Sequence, residues 1–155
     1  MYSILLAAHN YLHYLLIFLL IFLIGRSFYC WQRKTAYNQT TDKISLYTFI
    51  VTHTQLLLGL LLYGTSQLGY FKNFKAAIHN PVSRWWILEH PTAMILAVVL
   101  ITVARITMKK IPSDVNKHKR LFFLNTLALL IILLVIPYPF MPGIGAGRTY
   151  LFGIF

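Results

Sequence analysis

The sequence predicts an all-α fold, an integral membrane antiparallel four-helix bundle, and three observations support this prediction. Hydrophobic residues make up 58% of the 155 residues and charged residues only 11%, a composition that soluble domains of this size do not have. Four apolar runs, each about the ~20 residues that cross a bilayer, account for the excess. Their connections are short, which favours an up-down arrangement in a single domain covering residues 1–155.

The predicted spans cover about residues 4–24, 46–64, 86–106 and 121–136. The first is expected to stay in the mature protein, because no basic segment precedes it and Gly25-Arg26 is a poor signal-peptide cleavage site. The second and third have the length and composition of transmembrane helices. The fourth is shorter, and Ser113 is expected to cap its helix, which then begins in water.

Two predicted segments lie outside the spans on the same side of the membrane as the N terminus, and they differ in composition. The connection between the second and third spans is aromatic, and its rings are expected at the headgroup level: Tyr70, Phe71, Phe74, Trp85 and Trp86. A short amphipathic helix is expected from Lys72 to Ile78. The tail, residues 137–155, is rich in proline and glycine and is expected to fold back across the outer mouth of the bundle.

Positive charge is distributed unevenly along the chain. Ten of the 14 Lys and Arg residues lie in the first and third connections or at the adjacent helix ends, and four lie in the second connection and the tail. Cytoplasmic connections carry the basic excess, so both termini are expected outside, in the periplasm. The net charge of +11 then predicts anionic lipid, and not nucleic acid, as the neighbour. The single cysteine, Cys30, excludes an internal disulfide and a cysteine-ligated iron–sulfur cluster.

Polar residues within the predicted spans form stripes at helical spacing, and each stripe includes or borders a histidine. His9 and His13 share a face of the first helix, and His118 shares a face of the fourth with Asn125. The second helix carries Ser45, Thr48, Thr52, Gln55, Gly59 and Tyr63, with His53 at the edge of this stripe. The third carries His90, Ala93, Met94, Ala97, Ile101 and Ala104. Small residues after His90 leave a groove or simply allow close helix packing, and both interpretations stay open.

Depth in the membrane distinguishes the histidines. At ~1.5 Å of rise per residue, His9 and His90 both lie roughly 8 to 10 Å inside the outer boundary, on helices expected at diagonal corners. Two neutral imidazoles at one level can bind the iron of a planar haem. His13 competes with His9 for this role. His53 is expected to contact a neighbouring helix or conduct protons, and His118 is expected to be a solvated cation, although ligation of a second haem stays open for both.

Four stretches resemble a known group of proteins when they are taken in order: AAHNYLHYLL, VTHTQLLLGLLLY, RWWILEHPTAMILAVVLI and KHKRLFFLNTLALLIILLVIPYPF. They resemble a family of small bacterial four-helix membrane proteins catalogued as cytochrome b, and they are more faintly similar to one half of haem A synthase. The resemblance implies that His9 and His90 ligate haem b, and that Gln55-x-x-x-Gly59 matches an element of the synthase's second helix. Only one half is present, so synthase activity is not implied, and His13 stands where the small proteins more often have arginine.

Three charged residues near the outer boundary are candidates for the cofactor site. Glu89 could orient His90 or accept a proton during quinol oxidation, or it could simply pair with Arg84. Arg84 and Arg148 could bind haem propionates, with the tail acting as a lid that delivers Arg148, or both could anchor the chain at the interface.

The sequence therefore predicts a b-type cytochrome of the bacterial inner membrane that passes single electrons between quinol and a periplasmic acceptor or respiratory complex. No residue set indicates bond chemistry, so we expect an electron-transfer protein and not a stand-alone enzyme. The alternative is a cofactor-free accessory or assembly subunit whose aromatic connection binds a larger membrane complex. A histidine-lined proton or metal pathway is a weaker third hypothesis, because only Glu89 is acidic near the membrane.

Overall fold

The computed structural model describes residues 2–66 and 72–137, and these ranges contain helices and no strand. In chain order the helices are α1 (Tyr2–Gln32), α2 (Gln39–Ser66), α3 (Phe74–His79), α4 (Pro81–Arg84), α5 (His90–Ile106) and α6 (Asp114–Leu134). A π-helical turn, Trp85–Glu89, joins α4 to α5, and a 3-10 turn, Met108–Lys110, follows α5. The all-α prediction is confirmed for this part of the chain.

Three helical stretches are long and apolar enough to cross a membrane, namely Tyr2–Gln32, Gln39–Thr65 and Pro81–Lys110. They match the first three predicted spans and identify a helical, membrane-embedded protein. The helix of the predicted fourth span, α6, begins with the polar sequence DVNKHKR, and its apolar part starts only at Leu121. That α6 also crosses the membrane stays a prediction.

The long helices pack in the order that the sequence predicts. Both α1 and α5 pack against α2 and α6, so α1 and α5 lie at opposite corners. Neighbouring helices run antiparallel, since Arg26 near the end of α1 donates to Thr41 at the start of α2, while Gln55 farther along α2 donates to the carbonyl of His9. We call the end of the bundle that holds His9 and His90 the histidine end, and the opposite end, with Arg26 and Arg105, the basic end.

The bundle core contains both apolar and hydroxyl side chains. One buried apolar cluster comprises Leu16, Leu20, Ala97, Ile101, Ala128, Ile132 and Ile136. The predicted stripe of α2 faces inward, with Ser45, Thr48 and Thr52 all buried. The hydroxyls of Thr48 and Thr52 donate to the carbonyls four residues earlier, at 2.9 and 2.7 Å. These bonds allow hydroxyls in a core where an unpaired polar atom would be costly.

Helix caps define how the short segments begin. Ser113 caps α6 as predicted, since its hydroxyl accepts a hydrogen bond from the backbone N–H of Asn116. Asn73 and Asn80 cap α3 and α4 in the same way. Helix α3 occupies most of the predicted amphipathic segment. Tyr70, Phe71 and the tail beyond residue 137, which were predicted to lie on the same side of the membrane as α3, are outside the described residues.

An ion-pair cluster joins the helices at the basic end. Arg105 of α5 forms a bidentate ion pair with Asp42 of α2, and the hydroxyl of Tyr37 donates to the same carboxylate at 3.1 Å. Burial raises the pKa of Tyr37 to about 12, and the Asp42 charge contributes to that rise. The α1–α2 connection is thereby tied to both α2 and α5.

The prediction that His118 is a solvated cation is wrong. The side chain is fully buried, because the segment 35–37 covers it and the Tyr37 ring lies 5.6 Å from it. The carbonyls of Thr35 and Ala36 approach the ring, although neither makes a well-directed hydrogen bond. Burial lowers the pKa of His118, so the neutral imidazole is favoured.

Candidate functional site

A cavity of about 440 Å³ opens between α1, α2, α5 and α6 at the histidine end. Its volume is within the range typical of small-molecule and cofactor sites. Five of the predicted site residues line it together: His9, His13, Gln55, Gly59 and His90. The remaining lining is mostly apolar, with Asn10, Thr52 and Tyr63 adding polar atoms.

His90 lies at the start of α5, directly after the π turn. Its Nδ1 is 3.0 Å from the carbonyl oxygen of Val135 at the end of α6. A carbonyl only accepts, so Nδ1 carries the hydrogen and Nε2 presents a lone pair. The indole of Trp85, itself buried, packs against the ring at a centroid distance of 5.0 Å. A histidine whose Nδ1–H is fixed by a carbonyl has the arrangement typical of a metal ligand.

His9 lies across the cavity on α1, at the level of Gly59 on α2. A Cβ atom at Gly59 would come within 3.3 Å of His9 Cε1, so the absence of a side chain there leaves room for the imidazole. His9 and His90 both line this cavity, and their helices lie at opposite corners of the bundle. The diagonal helices therefore place two imidazoles on facing sides of one cavity.

Two buried polar atoms beside His9 have no partner in the part of the chain that the structure describes: His9 Nδ1 and Gln55 Oε1. The amide nitrogen of Gln55 donates to the carbonyl of His9 at 2.9 Å, which fixes the side chain beside the imidazole. Buried atoms of this kind are uncommon and mark places where a ligand or water completes the site. Both atoms belong to residues that line the cavity, His9 and Gln55.

His13 lies one helical turn farther along α1 and also lines the cavity. Its Nδ1 donates to the carbonyl of Asn10 at 3.0 Å, and its ring contacts Tyr14 at a centroid distance of 4.4 Å. His13 thus has the same tautomer as His90, and its competition with His9 stays open.

His53 does not belong to this group. Its Nδ1 donates to the carbonyl of Phe49 at 2.9 Å, and its Nε2 lies 3.4 Å from the hydroxyl of Thr102 on α5. These contacts place His53 at the α2–α5 interface, away from the cavity lining, as the helix-contact interpretation predicts.

The two charged candidates that the structure describes, Arg84 and Glu89, are not part of the cavity lining. Arg84 Nε and Glu89 Oε1 form an ion pair at 2.6 Å, with both side chains more than 40% exposed. Glu89 therefore contacts Arg84, as the simpler alternative predicts. Arg148 lies outside the described residues. No lysine or arginine of the described ranges lines the cavity.

Two contacts of the site were not predicted from the sequence. The hydroxyl of Tyr63 donates to the carbonyl of Ile87 at 2.9 Å, and Trp85 is buried against His90 where the sequence placed it only at the headgroup level. The sequence does contain one signal for the Tyr63 contact. Pro91 has no N–H to donate to the carbonyl of Ile87, four residues earlier, so that carbonyl needs another donor.

Fold and cavity together define a helical membrane-embedded protein with two facing histidines. Comparison with protein-family models, with curated proteins and with solved structures found no match. Within the described residues no group of three or more His, Cys, Asp or Glu side chains could hold a metal ion. A haem iron takes at most two axial ligands from the protein, so a test for three or more ligands does not bear on a pair of imidazoles.

Proposed function

We propose that this chain is a b-type haem protein of the bacterial inner membrane, in which His9 and His90 bind the iron of one haem. It crosses the membrane four times, with α6 as the fourth span and both termini in the periplasm. It passes single electrons between quinol and a periplasmic acceptor or respiratory complex. The observation that carries this proposal is the cavity with one imidazole from each of two diagonal helices.

The residues around the cavity fit a bis-imidazole site. The Nδ1 atom of His90 is bound to the Val135 carbonyl and the ring packs against Trp85. The other ring nitrogen, Nε2, is therefore on the side of the ring away from Val135. Gly59 leaves space for the His9 ring, and Gln55 holds the adjacent backbone. If the Gln55 amide oxygen accepts from His9 Nδ1–H on binding, both unpaired atoms are satisfied, which is the usual outer-shell arrangement for a ligating histidine.

A bound haem supplies a reversible one-electron iron couple. The protein's contribution is to hold the two ligands, to exclude water with an apolar lining, and to set the distance of the site from the membrane surface. The proposal assigns electron transfer without bond chemistry.

The alternative function, a cofactor-free accessory subunit, is favoured by one observation. Haem propionates usually pair with cations, and no cation of the described ranges lines the cavity. In that alternative the polar groups hold the helices together and the chain copurifies with a larger membrane complex without haem.

Spectroscopy of the purified protein tests the proposal. The dithionite-reduced protein should show a low-spin haem band, and a soluble quinol analogue should reduce the oxidised form. His9→Ala and His90→Ala should each abolish the band, while the matched control His53→Ala, on a histidine outside the cavity, should retain it. A haem-free wild-type protein that copurifies stoichiometrically with a larger complex would support the alternative.

A further inference from the structure

The start of α5 contains a gap in its backbone hydrogen bonding. In a regular α-helix the N–H of residue 91 donates to the carbonyl of residue 87. Residue 91 is Pro91, which has no N–H, so the carbonyl of Ile87 cannot receive that α-helical bond. An unpaired carbonyl is costly within a membrane, where no water replaces the missing donor.

Tyr63 of α2 supplies the missing donor. Its hydroxyl lies 2.9 Å from the Ile87 oxygen, and the Ile87 side chain is itself buried. The hydrogen bond crosses between two helices, so it also fixes α2 against the segment that precedes α5. A side-chain hydroxyl is a known way of satisfying the carbonyl that a proline releases in a transmembrane helix.

The same segment determines where His90 points. The N–H of His90 donates to the carbonyl of Trp85, five residues earlier, which makes the turn a π turn. A π turn inserts one additional residue, so it offsets His90 and all of α5 relative to Trp85. Ile87 is the central residue of this turn, and the oxygen that Tyr63 holds is therefore three residues from the candidate ligand.

We propose that Tyr63 is a positioning residue for His90: its hydroxyl replaces the missing N–H of Pro91 and fixes the π turn that directs the imidazole into the cavity. The backbone part of this inference depends only on the hydrogen bond. Its consequence for haem binding rests on the proposed function.

A double-mutant cycle tests the inference with three full-length variants, Tyr63→Phe, Pro91→Ala and the two combined. Pro91→Ala restores an N–H that can return to the Ile87 oxygen, so it should rescue Tyr63→Phe. We expect Tyr63→Phe alone to weaken haem retention about tenfold, the effect of one unpaired buried carbonyl, and to change the reduction potential. In the Pro91→Ala background the same substitution should have little effect. Tyr47→Phe is the control, because Tyr47 is an exposed tyrosine of the same helix.

Imidazole ¹⁵N resonances of the haem-free protein provide a readout that does not depend on the proposed function. Tyr63→Phe should shift the His90 Nδ1 resonance, and Pro91→Ala should restore it. Equal effects of Tyr63→Phe in both backgrounds, or lower thermal stability with unchanged His90 resonances, would overturn the inference. If the wild type binds no haem but the resonances show the rescue, the proposed function fails and the positioning role stands.

Discussion

The four histidines of the predicted cofactor site differ in which ring nitrogen is engaged by the protein. His13, His53 and His90 each donate Nδ1–H to a backbone carbonyl, so each keeps a lone pair at Nε2. His9 has no such bond, and its buried Nδ1 has no partner among the described residues. The site therefore contains two imidazoles oriented by backbone carbonyls, His13 and His90, and one, His9, whose buried Nδ1 is left for a ligand or water to pair.

Gly59→Ala tests the room that His9 needs. The new Cβ would approach His9 Cε1 to 3.3 Å, so the ring must move by a few tenths of an ångström. We expect a several-fold loss of haem retention, measured as haem per chain after size-exclusion chromatography. Gly64→Ala, where a Cβ meets no atom within 4 Å, is the control and should retain haem with stability raised by about 0.5–1 kcal/mol. Equal retention in both variants would show that His9 is not constrained by α2.

The sequence predicted the histidine side of the cavity well, because stripes at helical spacing depend only on residue order. His9, Gln55, Gly59 and His90 fall on inward faces whatever the details of packing. It did not predict the Tyr63 bond to Ile87: Pro91 indicates that a nearby carbonyl lacks a donor, but a π turn leaves no periodic signal that shows which side chain replaces that donor. The prediction that His118 is solvated was wrong for a related reason. The burial of His118 depends on the segment 35–37, and the apolar pattern does not specify the path of that segment.

At the scale of the elements, the connection between α1 and α2 is fixed by polar contacts. Arg26 of α1 donates to Thr41 and to Asn38, at 3.0 and 3.1 Å. Tyr37 donates to Asp42, which is bound by Arg105 of α5. Helix α1 ends at Gln32 and helix α2 begins at Gln39, whereas the apolar runs end near residue 24 and begin near residue 46 and so do not predict these boundaries. The apolar pattern reports the membrane-embedded part of each helix and misses its polar extension.

Tyr37→Phe tests this cluster through pH. The pKa of Tyr37 is raised from 10.0 to about 12, so its contribution to stability is complete below pH 10 and is lost as pH rises towards 12. At pH 8 we expect the variant to be less stable by about 1 kcal/mol, the value of one partly exposed hydrogen bond to a charged group. Between pH 10 and 12 the difference in unfolding temperature between wild type and variant should shrink, because the lysines that also titrate there are common to both. A difference that stays constant over this range would contradict the assigned contact.

At the scale of the whole molecule, the two ends of the bundle have different chemistry. The basic end contains two acidic groups, and both are paired: Asp42 with Arg105, and Asp114 with Lys117 at 2.8 Å. Most other cations of that end have no carboxylate partner among the described residues. The histidine end has an aromatic and apolar cavity instead. This asymmetry is the physical basis for the predicted orientation, with the basic end in the cytoplasm.

Cysteine labelling in whole cells tests the orientation of the first three spans. In a Cys30→Ser background, cysteines introduced at Lys34 and Lys110 at the basic end and at Lys75 in α3 are treated with a membrane-impermeant maleimide. We expect labelling of position 75 in intact cells, and labelling of positions 34 and 110 only after the membrane is opened. Labelling of position 34 or position 110 in intact cells would contradict the proposed topology.

The central claim is that His9 and His90 bind one haem together, and the haem-to-chain ratio of the purified wild type and its histidine variants tests it most directly. The account predicts one haem per chain with the electron paramagnetic resonance signal of bis-imidazole low-spin iron, loss of that signal in His9→Ala and His90→Ala, and its retention in His13→Ala. A wild-type protein without haem, or a signal that survives in His90→Ala, would contradict it.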